Sequence, residues 1–200
     1  GKDAIGMSTI GGLIINEGII EVTGKNAVGM HIEGSNGVAA AINNGEILVG
    51  RNANSAITAI GSNARIENNG IIRLDQNHSE LKNNSAENIV IKALNGAEII
   101  NTGTISTENI LELSSDKNSI LRIGTNKNKE YGTFNASEIK INGNIIIDTA
   151  IVTSGYEEEY ILQDILKASS VEISDETSFE TDSILYKVNL KKTETDSFNA

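Results

Sequence analysis

Gly12-Leu13-Ile14-Ile15-Asn16-Glu17-Gly18-Ile19-Ile20-Glu21-Val22 reads as two short strands around a bend. It returns 27 residues later as Ala39-Ala40-Ala41-Ile42-Asn43-Asn44-Gly45-Glu46-Ile47-Leu48-Val49. The Asn-x-Gly centre recurs at Asn68-Asn69-Gly70 and Asn101-Thr102-Gly103, with a degenerate copy at Asn142-Gly143, and successive glycines are 27, 25, 33 and 40 residues apart. Two residues after each glycine stand Ile20, Ile47, Ile72, Ile105 and Ile145; four after it stand Val22, Val49, Leu74, Thr107 and Ile147. Two before each Asn are Ile14, Ala41, Ile66 and Ile99, and four before are Gly12, Ala39, Ala64 and Ala97. A spacing of two is the strand period, because alternate side chains share a face.

A further strand-like segment precedes this pair in each repeat, at Ile5/Met7, Val28/Met30, Ile57/Ala59 and Ile89/Ile91. Each repeat therefore predicts three short strands, with Asn-x-Gly bending the chain between the second and third. Asn and Gly tolerate left-handed backbone there at little steric cost. One such turn cannot cover its own apolar face and must stack on its neighbours, about 4.8 Å apart. Stacking yields columns of Ile on Ile and an amide ladder at Asn16, Asn43, Asn68 and Asn101. The Asn-Gly dipeptides also suit hairpin turns, but an antiparallel meander leaves columns spaced by about one repeat unexplained. The expected fold class is all-β: a right-handed parallel β-helix with a C-terminal hairpin-like cap.

Composition agrees with thin, repetitive layers. There is no Pro, Trp or Cys, and only 4 Tyr and 3 Phe, so the core must be aliphatic and no disulfide or thiolate site exists. A net charge of -11 argues against nucleic acid, whose phosphates demand Lys and Arg, and against anionic lipid. No apolar run is long enough for a membrane-spanning helix. Two polar excursions, Asp75–Ser85 and Thr125–Gly132, read as insertions leaving the solenoid.

Composition shifts near Thr149, which divides the chain into coils over 1–149 and a capping segment over 150–200. Of 25 Asn, 23 precede residue 150; beyond it 11 acids face 4 Lys. Ile184, Tyr186, Val188 and Leu190 alternate with polar neighbours and predict a strand over Ile184–Leu190. Val171 and Ile173 predict another, with Ser174–Asp182 as an acidic turn between them. Strand edges at a solenoid end need cover, so a cap is expected there.

Asn-Gly-rich turns followed by Ser183-Ile184-Leu185-Tyr186-Lys187-Val188-Asn189-Leu190 resemble the passenger domain of type V bacterial autotransporters, with its autochaperone junction. The resemblance covers essentially the whole chain and implies export to the surface of a Gram-negative bacterium, anchored through an outer-membrane barrel of the same polypeptide. It further implies that the C-terminal part folds first and templates the rest. Parents of this kind include adhesins associated with virulence and subtilisin-like serine proteases. The chain departs from a whole member in lacking barrel, signal peptide and protease motif.

Residues of catalytic type are few and scattered. The two histidines are His31, alternating with inward Met30 and Ile32, and His78 in the polar excursion; no Gly-x-Ser-x-Gly elbow occurs. Paired carboxylates could cleave a polysaccharide, but Glu21, Glu33, Glu46 and Glu67 fall at turns or outward positions on different faces. Gly11-Gly12 lacks the Asp of calcium-binding repeats, no Cys/His cluster could hold zinc, and no phosphate loop is present. The expectation is a monomeric, cofactor-free stalk and folding-nucleation segment, with no catalytic, cofactor-binding or metal residues. Its structural residues are Asn16, Gly18, Asn43, Gly45, Asn68, Gly70, Asn101, Gly103, Ile20, Ile47, Ile72, Ile105, Ile184, Tyr186, Val188 and Leu190. The alternatives are an adhesin segment binding a host or bacterial partner (a protein or glycan) through Ser8, His31, Ile60 and Lys92 or the insertions, and the C-terminal part of a subtilisin-like serine protease autotransporter.

Overall fold

A computed structural model describes residues 2–35, 37–50, 53–74, 88–149, 164–183, 186–189, 191–192 and 197–199. The strands follow one another in triplets. The first coil holds β1 (Ile5–Thr9), β2 (Gly12–Asn16) and β3 (Ile19–Val22); the second β4 (Val28–Glu33), β5 (Ala39–Asn43) and β6 (Glu46–Val49). The third holds β7 (Ser55–Ile60), β8 (Ala64–Asn68) and β9 (Ile71–Leu74); the fourth β10 (Asn88–Leu94), β11 (Glu98–Asn101) and β12 (Thr104–Ser106). Then come β13 (Ile110–Ser115), β14 (Ile120–Ile123) and β15 (Thr133–Asn135), followed by β16 (Glu138–Asn142), β17 (Asn144–Ile147) and β18 (Leu166–Lys167). A last, partial coil contributes β19 (Ser170–Ile173) and β20 (Ser178–Thr181), before β21 (Lys191–Lys192) and β22 (Ser197–Asn199).

Every third strand pairs, so the first strands of all coils form one 7-stranded sheet, the second strands another, and the third strands most of an 8-stranded one. All pairings from Ile5 to Thr181 are parallel within these three ladders. The molecule is a parallel β-helix. Columns of like residues run through it. Ile20, Ile47, Ile72 and Ile105 stand in register in the third sheet and continue into Phe134 and Leu166. Ile14, Ala41, Ile66, Ile99, Leu121, Ile145 and Phe179 line the second sheet. Among the described residues the buried core is one continuous cluster of aliphatic side chains, with Phe134 as its one buried aromatic ring. Burying a side chain of this size is worth about 1.5–3 kcal/mol, so a coil with several inward residues adheres strongly to the next.

Four expectations need correcting. Asn142-Gly143 is not a further copy of the Asn-x-Gly bend. It joins β16 to β17, first sheet to second, and Ile145 therefore belongs to the column of Ile14 and Ile66, not to that of Ile20. The 40-residue gap between Gly103 and Gly143 thus spans two different corners and contains the β13–β15 coil, whose second-to-third corner carries no Asn-x-Gly. Secondly, Ile57 and Ala59 stand opposite Met30 and Ile32, two residues from the predicted register, with Ser55 taking the place opposite Val28. Thirdly, the parallel coils do not stop at 149: β18, β19 and β20 extend all three ladders, and β20 occupies what the sequence predicted as an acidic turn. Phe179 supplies its inward anchor against Ile145. Fourthly, Tyr186–Asn189 join no ladder, although Tyr186 and Val188 are half-buried and Lys187 and Asn189 exposed. Ile184, Leu185 and Leu190 lie outside the described residues. The hairpin-like cap is β21 and β22, which pair antiparallel, β22 closing the third sheet against β18.

Candidate functional site

The corner between second and third strands is where the repeat concentrates its polar groups. Asn16, Asn43, Asn68 and Asn101 are all buried at the ends of stacked strands. Asn16 Nδ2 donates to Asn43 Oδ1 at 2.7 Å, Asn43 Nδ2 to Asn68 Oδ1 at 2.7 Å, and Asn68 Nδ2 to Asn101 Oδ1 at 2.8 Å. Asn101 passes the ladder to the backbone carbonyl of Thr133 at 3.3 Å, because Ile123 replaces Asn in the next coil. Buried amides satisfied in this way specify register as well as contributing energy, since a slip would orphan each of them. Outside it runs a second, exposed ladder that the sequence reading missed: Asn44 donates to Glu17, Asn69 to Asn44, and Thr102 to Asn69. Its signal was the middle residue of each Asn-x-Gly, polar in every copy.

The corner glycines are glycine for a different reason than predicted. Positive φ occurs at Gly12, Gly61, Gly96 and Gly143, all at the first corner, and not at Gly18, Gly45, Gly70 or Gly103. At the Asn-x-Gly corner the constraint is stacking. A Cβ on Gly45 would lie 2.1 Å from the Gly18 carbonyl oxygen, one on Gly70 2.0 Å from that of Gly45, and one on Gly103 2.1 Å from that of Gly70.

The outer faces carry charges that pair across coils. His31 points outward in the first sheet, its Nε2 3.0 Å from Glu33 Oε1, in register with Ser8, Thr58 and Lys92; Ile60 stands beside Glu33 on the same face. On the second sheet Arg122 Nε meets Glu98 at 2.8 Å, and Arg65 reaches Glu98 at 3.7 Å and Glu67 at 4.0 Å. Ile100, which also faces outward, sits between the Glu67 and Arg122 positions and is only 5% exposed. On the third sheet Arg73 pairs with Glu46, and Glu21 lies in register with Leu48 and Arg73. The four candidate carboxylates are thus split among three faces: Glu33 on the first, Glu67 on the second, Glu21 and Glu46 on the third.

Thr125–Gly132 forms a braced loop. Thr125 and Tyr131 bridge antiparallel, and Asn126 Oδ1 accepts from the backbone of Asn128 and Glu130 at 2.8 and 3.0 Å. At its base the Tyr131 hydroxyl donates to the Asp148 carbonyl at 2.6 Å. Burial, reinforced by the charges of Asp148 and Asp182, pushes that phenol up to about 12. Burial acts to raise the Asp182 carboxyl, but hydrogen bonds from the Thr149 hydroxyl and backbone, with the Arg122 charge, hold it below the ordinary value. Asp75–Ser85 and His78 lie outside the described residues. Among the described residues no group of three or more His, Cys, Asp or Glu is placed to hold a metal, and no helix is long and apolar enough to cross a membrane.

Comparison with curated proteins and with solved structures gives no match. The family profile of the BigA third pectate lyase-like domain, from a bacterial surface protein, matches residues 1–104. These residues hold the first three coils and the fourth as far as the start of β12, with all four Asn-x-Gly corners, and the chain belongs to that family.

Proposed function

We propose that the chain is a rigid stalk of an exported autotransporter passenger, with its C-terminal end serving as the segment on which folding starts, and that it does no chemistry of its own. The observation that carries this reading is the continuity of the three parallel ladders from Ile5 to Thr181 around a single core. A solenoid of this kind couples each coil only to its neighbours, so length and stiffness follow from repetition. A closed end gives the first coil something to build on. The antiparallel pairing of β22 with β18 supports that role for the tail.

Stability and nucleation separate in kinetics. Removing 149–200 strips the last coil, so a lower urea midpoint follows from lost stacking alone. A nucleating tail also governs the folding rate. The truncated chain should refold markedly more slowly than the intact one. If truncation only accelerates unfolding and leaves refolding unchanged, the tail is a cap and the nucleation role is refuted. The non-catalytic reading is supported by the placing of Glu33 and Glu67 on other faces than Glu21 and Glu46, and by the engagement of Glu46 with Arg73. Sugar release from a panel of acidic and neutral polysaccharides, abolished by changing one of these to Gln, would overturn it.

A further inference from the structure

The first coil is built like the others, yet the features that each coil offers to the one before it have nothing to meet. In coils two to four, the corner N–H groups donate backwards: Gly45 N to the Asn16 carbonyl at 3.0 Å, Gly70 N to Asn43 at 2.9 Å, Gly103 N to Asn68 at 2.9 Å. Gly18 N finds no such carbonyl among the described residues and turns to its own Asn16 Oδ1 at 3.1 Å. That oxygen is the atom which, in Asn43, Asn68 and Asn101, accepts the amide of the preceding coil. Gly18 itself has nothing within 4 Å of where a Cβ would be, whereas Gly45, Gly70 and Gly103 are forced to be glycine by the carbonyl stacked on them.

Exposure tells the same story by an independent route. Ile5 is 47% exposed although Val28, next in its column, is 8% exposed. Met7 and Ile14, which point inward like Ile5, are only partly buried, whereas Met30 and Ile66 in their columns are completely buried. β1, β2 and β3 are the end strands of their sheets, each with one edge unpaired among the described residues.

We infer that the open face of the β1–β3 coil is a docking surface for one further parallel coil, whose own corner is an Asn-x-Gly turn. Such a coil supplies what is missing: a carbonyl for Gly18 N, an amide for Asn16 Oδ1, a glycine carbonyl over Gly18, and apolar side chains over Ile5, Met7 and Ile14. A second copy of this chain fits less well. Its far end carries Thr181 rather than Asn at the corner position and is closed on the third sheet by β22. Two first coils face to face would supply neither amide nor glycine carbonyl, because the Asn16 amide and the Gly18 carbonyl are already engaged by Asn43 and Glu46 of the second coil. The inference rests on the stacking geometry alone and is independent of the stalk reading.

The test is a fusion that places a duplicate of residues 25–50 directly ahead of Gly1. The join leaves five linking residues before β1, as residues 23–27 do before β4. Hydrogen exchange at the β1–β3 amides should slow by about tenfold or more in the fusion, and a fusion carrying a scrambled duplicate should show no slowing. Gly18→Ala should be silent in the chain itself, where Gly45→Ala lowers the denaturation midpoint, but should abolish the protection gained in the fusion. Unchanged exchange in the fusion would overturn the inference. So would a Gly18→Ala penalty in the unfused chain as large as that of Gly45→Ala, because the glycine would then serve its own coil. Concentration-dependent mass of the unfused chain by light scattering, lost on changing Leu13 and Ile15 to Ser, would overturn it in favour of self-association.

Discussion

Changing Asn43 to Ala should destabilise the protein by about 3–5 kcal/mol, a value that follows from the ladder's geometry. The Asn43 side chain is fully buried. It accepts from Asn16 and donates to Asn68, both at 2.7 Å. Each such bond contributes about 1 kcal/mol net, so two account for roughly 2 kcal/mol. The rest of the cost depends on what the two partners meet once Asn43 is gone. Asn16 Nδ2 keeps the Glu46 carbonyl at 3.2 Å and is not orphaned. Asn68 Oδ1 loses its donor in a buried site, which costs about 1–3 kcal/mol. The internal control is Asn44, one residue away in the exposed outer ladder, where water takes over the lost contacts to Glu17 and Asn69. Asn44→Ala should stay within about 0.5 kcal/mol of the parent. Urea denaturation followed by circular dichroism reads both, with a shift in midpoint at constant slope for Asn43→Ala. Equal midpoints for the two variants would refute the reasoning, because burial of the inner ladder would then carry no energy.

Two further changes probe the outer surface and the loop base. The Tyr131 phenol, raised to about 12 by burial and by Asp148 and Asp182, holds its proton more tightly folded than unfolded. The stability it contributes is therefore complete below about pH 10 and lost as pH rises toward about 12. Ultraviolet titration should show one late phenol step that vanishes in Tyr131→Phe, and an unchanged titration would place that phenol in water. Arg122→Ala should cost about 1 kcal/mol by uncovering Ile100 and leaving Glu98 with only the distant Arg65, whereas Arg122→Met, which keeps the cover, should cost less. A Met variant as unstable as the Ala variant, by the same urea assay, would assign the effect to the ion pair instead.

The fold was legible because a two-residue alternation and a repeat of about one coil are both written in side-chain type. Ile20, Ile47, Ile72 and Ile105 fell into one column as their spacing required. The amide ladder was legible for the same reason. What failed were places where one residue type serves two purposes. Asn142-Gly143 looks like Asn44-Gly45, but its glycine has φ 124 and turns the first corner, while Gly45 is pressed beneath a stacked carbonyl. The β13–β15 coil was hidden because Ile123 stands where Asn was expected and the braced loop separates β14 from β15. Strict alternation over Ile184–Leu190 describes a strand equally well whether or not a neighbouring edge is available, and edge availability is a property of the assembled coils. The outer Glu17–Asn44–Asn69–Thr102 ladder escaped because exposed polar residues at a bend ordinarily pair with solvent.

The vertical spacing of the coils has a mechanical corollary. Successive corner asparagines are 27, 25 and 33 residues apart, yet their backbones lie only about 4.8 Å apart along the axis. A tether pulled from its ends would give way coil by coil, each rupture paying out about 80–115 Å of slack at roughly 3.3–3.6 Å per residue. Under load this protein would behave as a ratcheted shock absorber whose step lengths are the repeat lengths themselves.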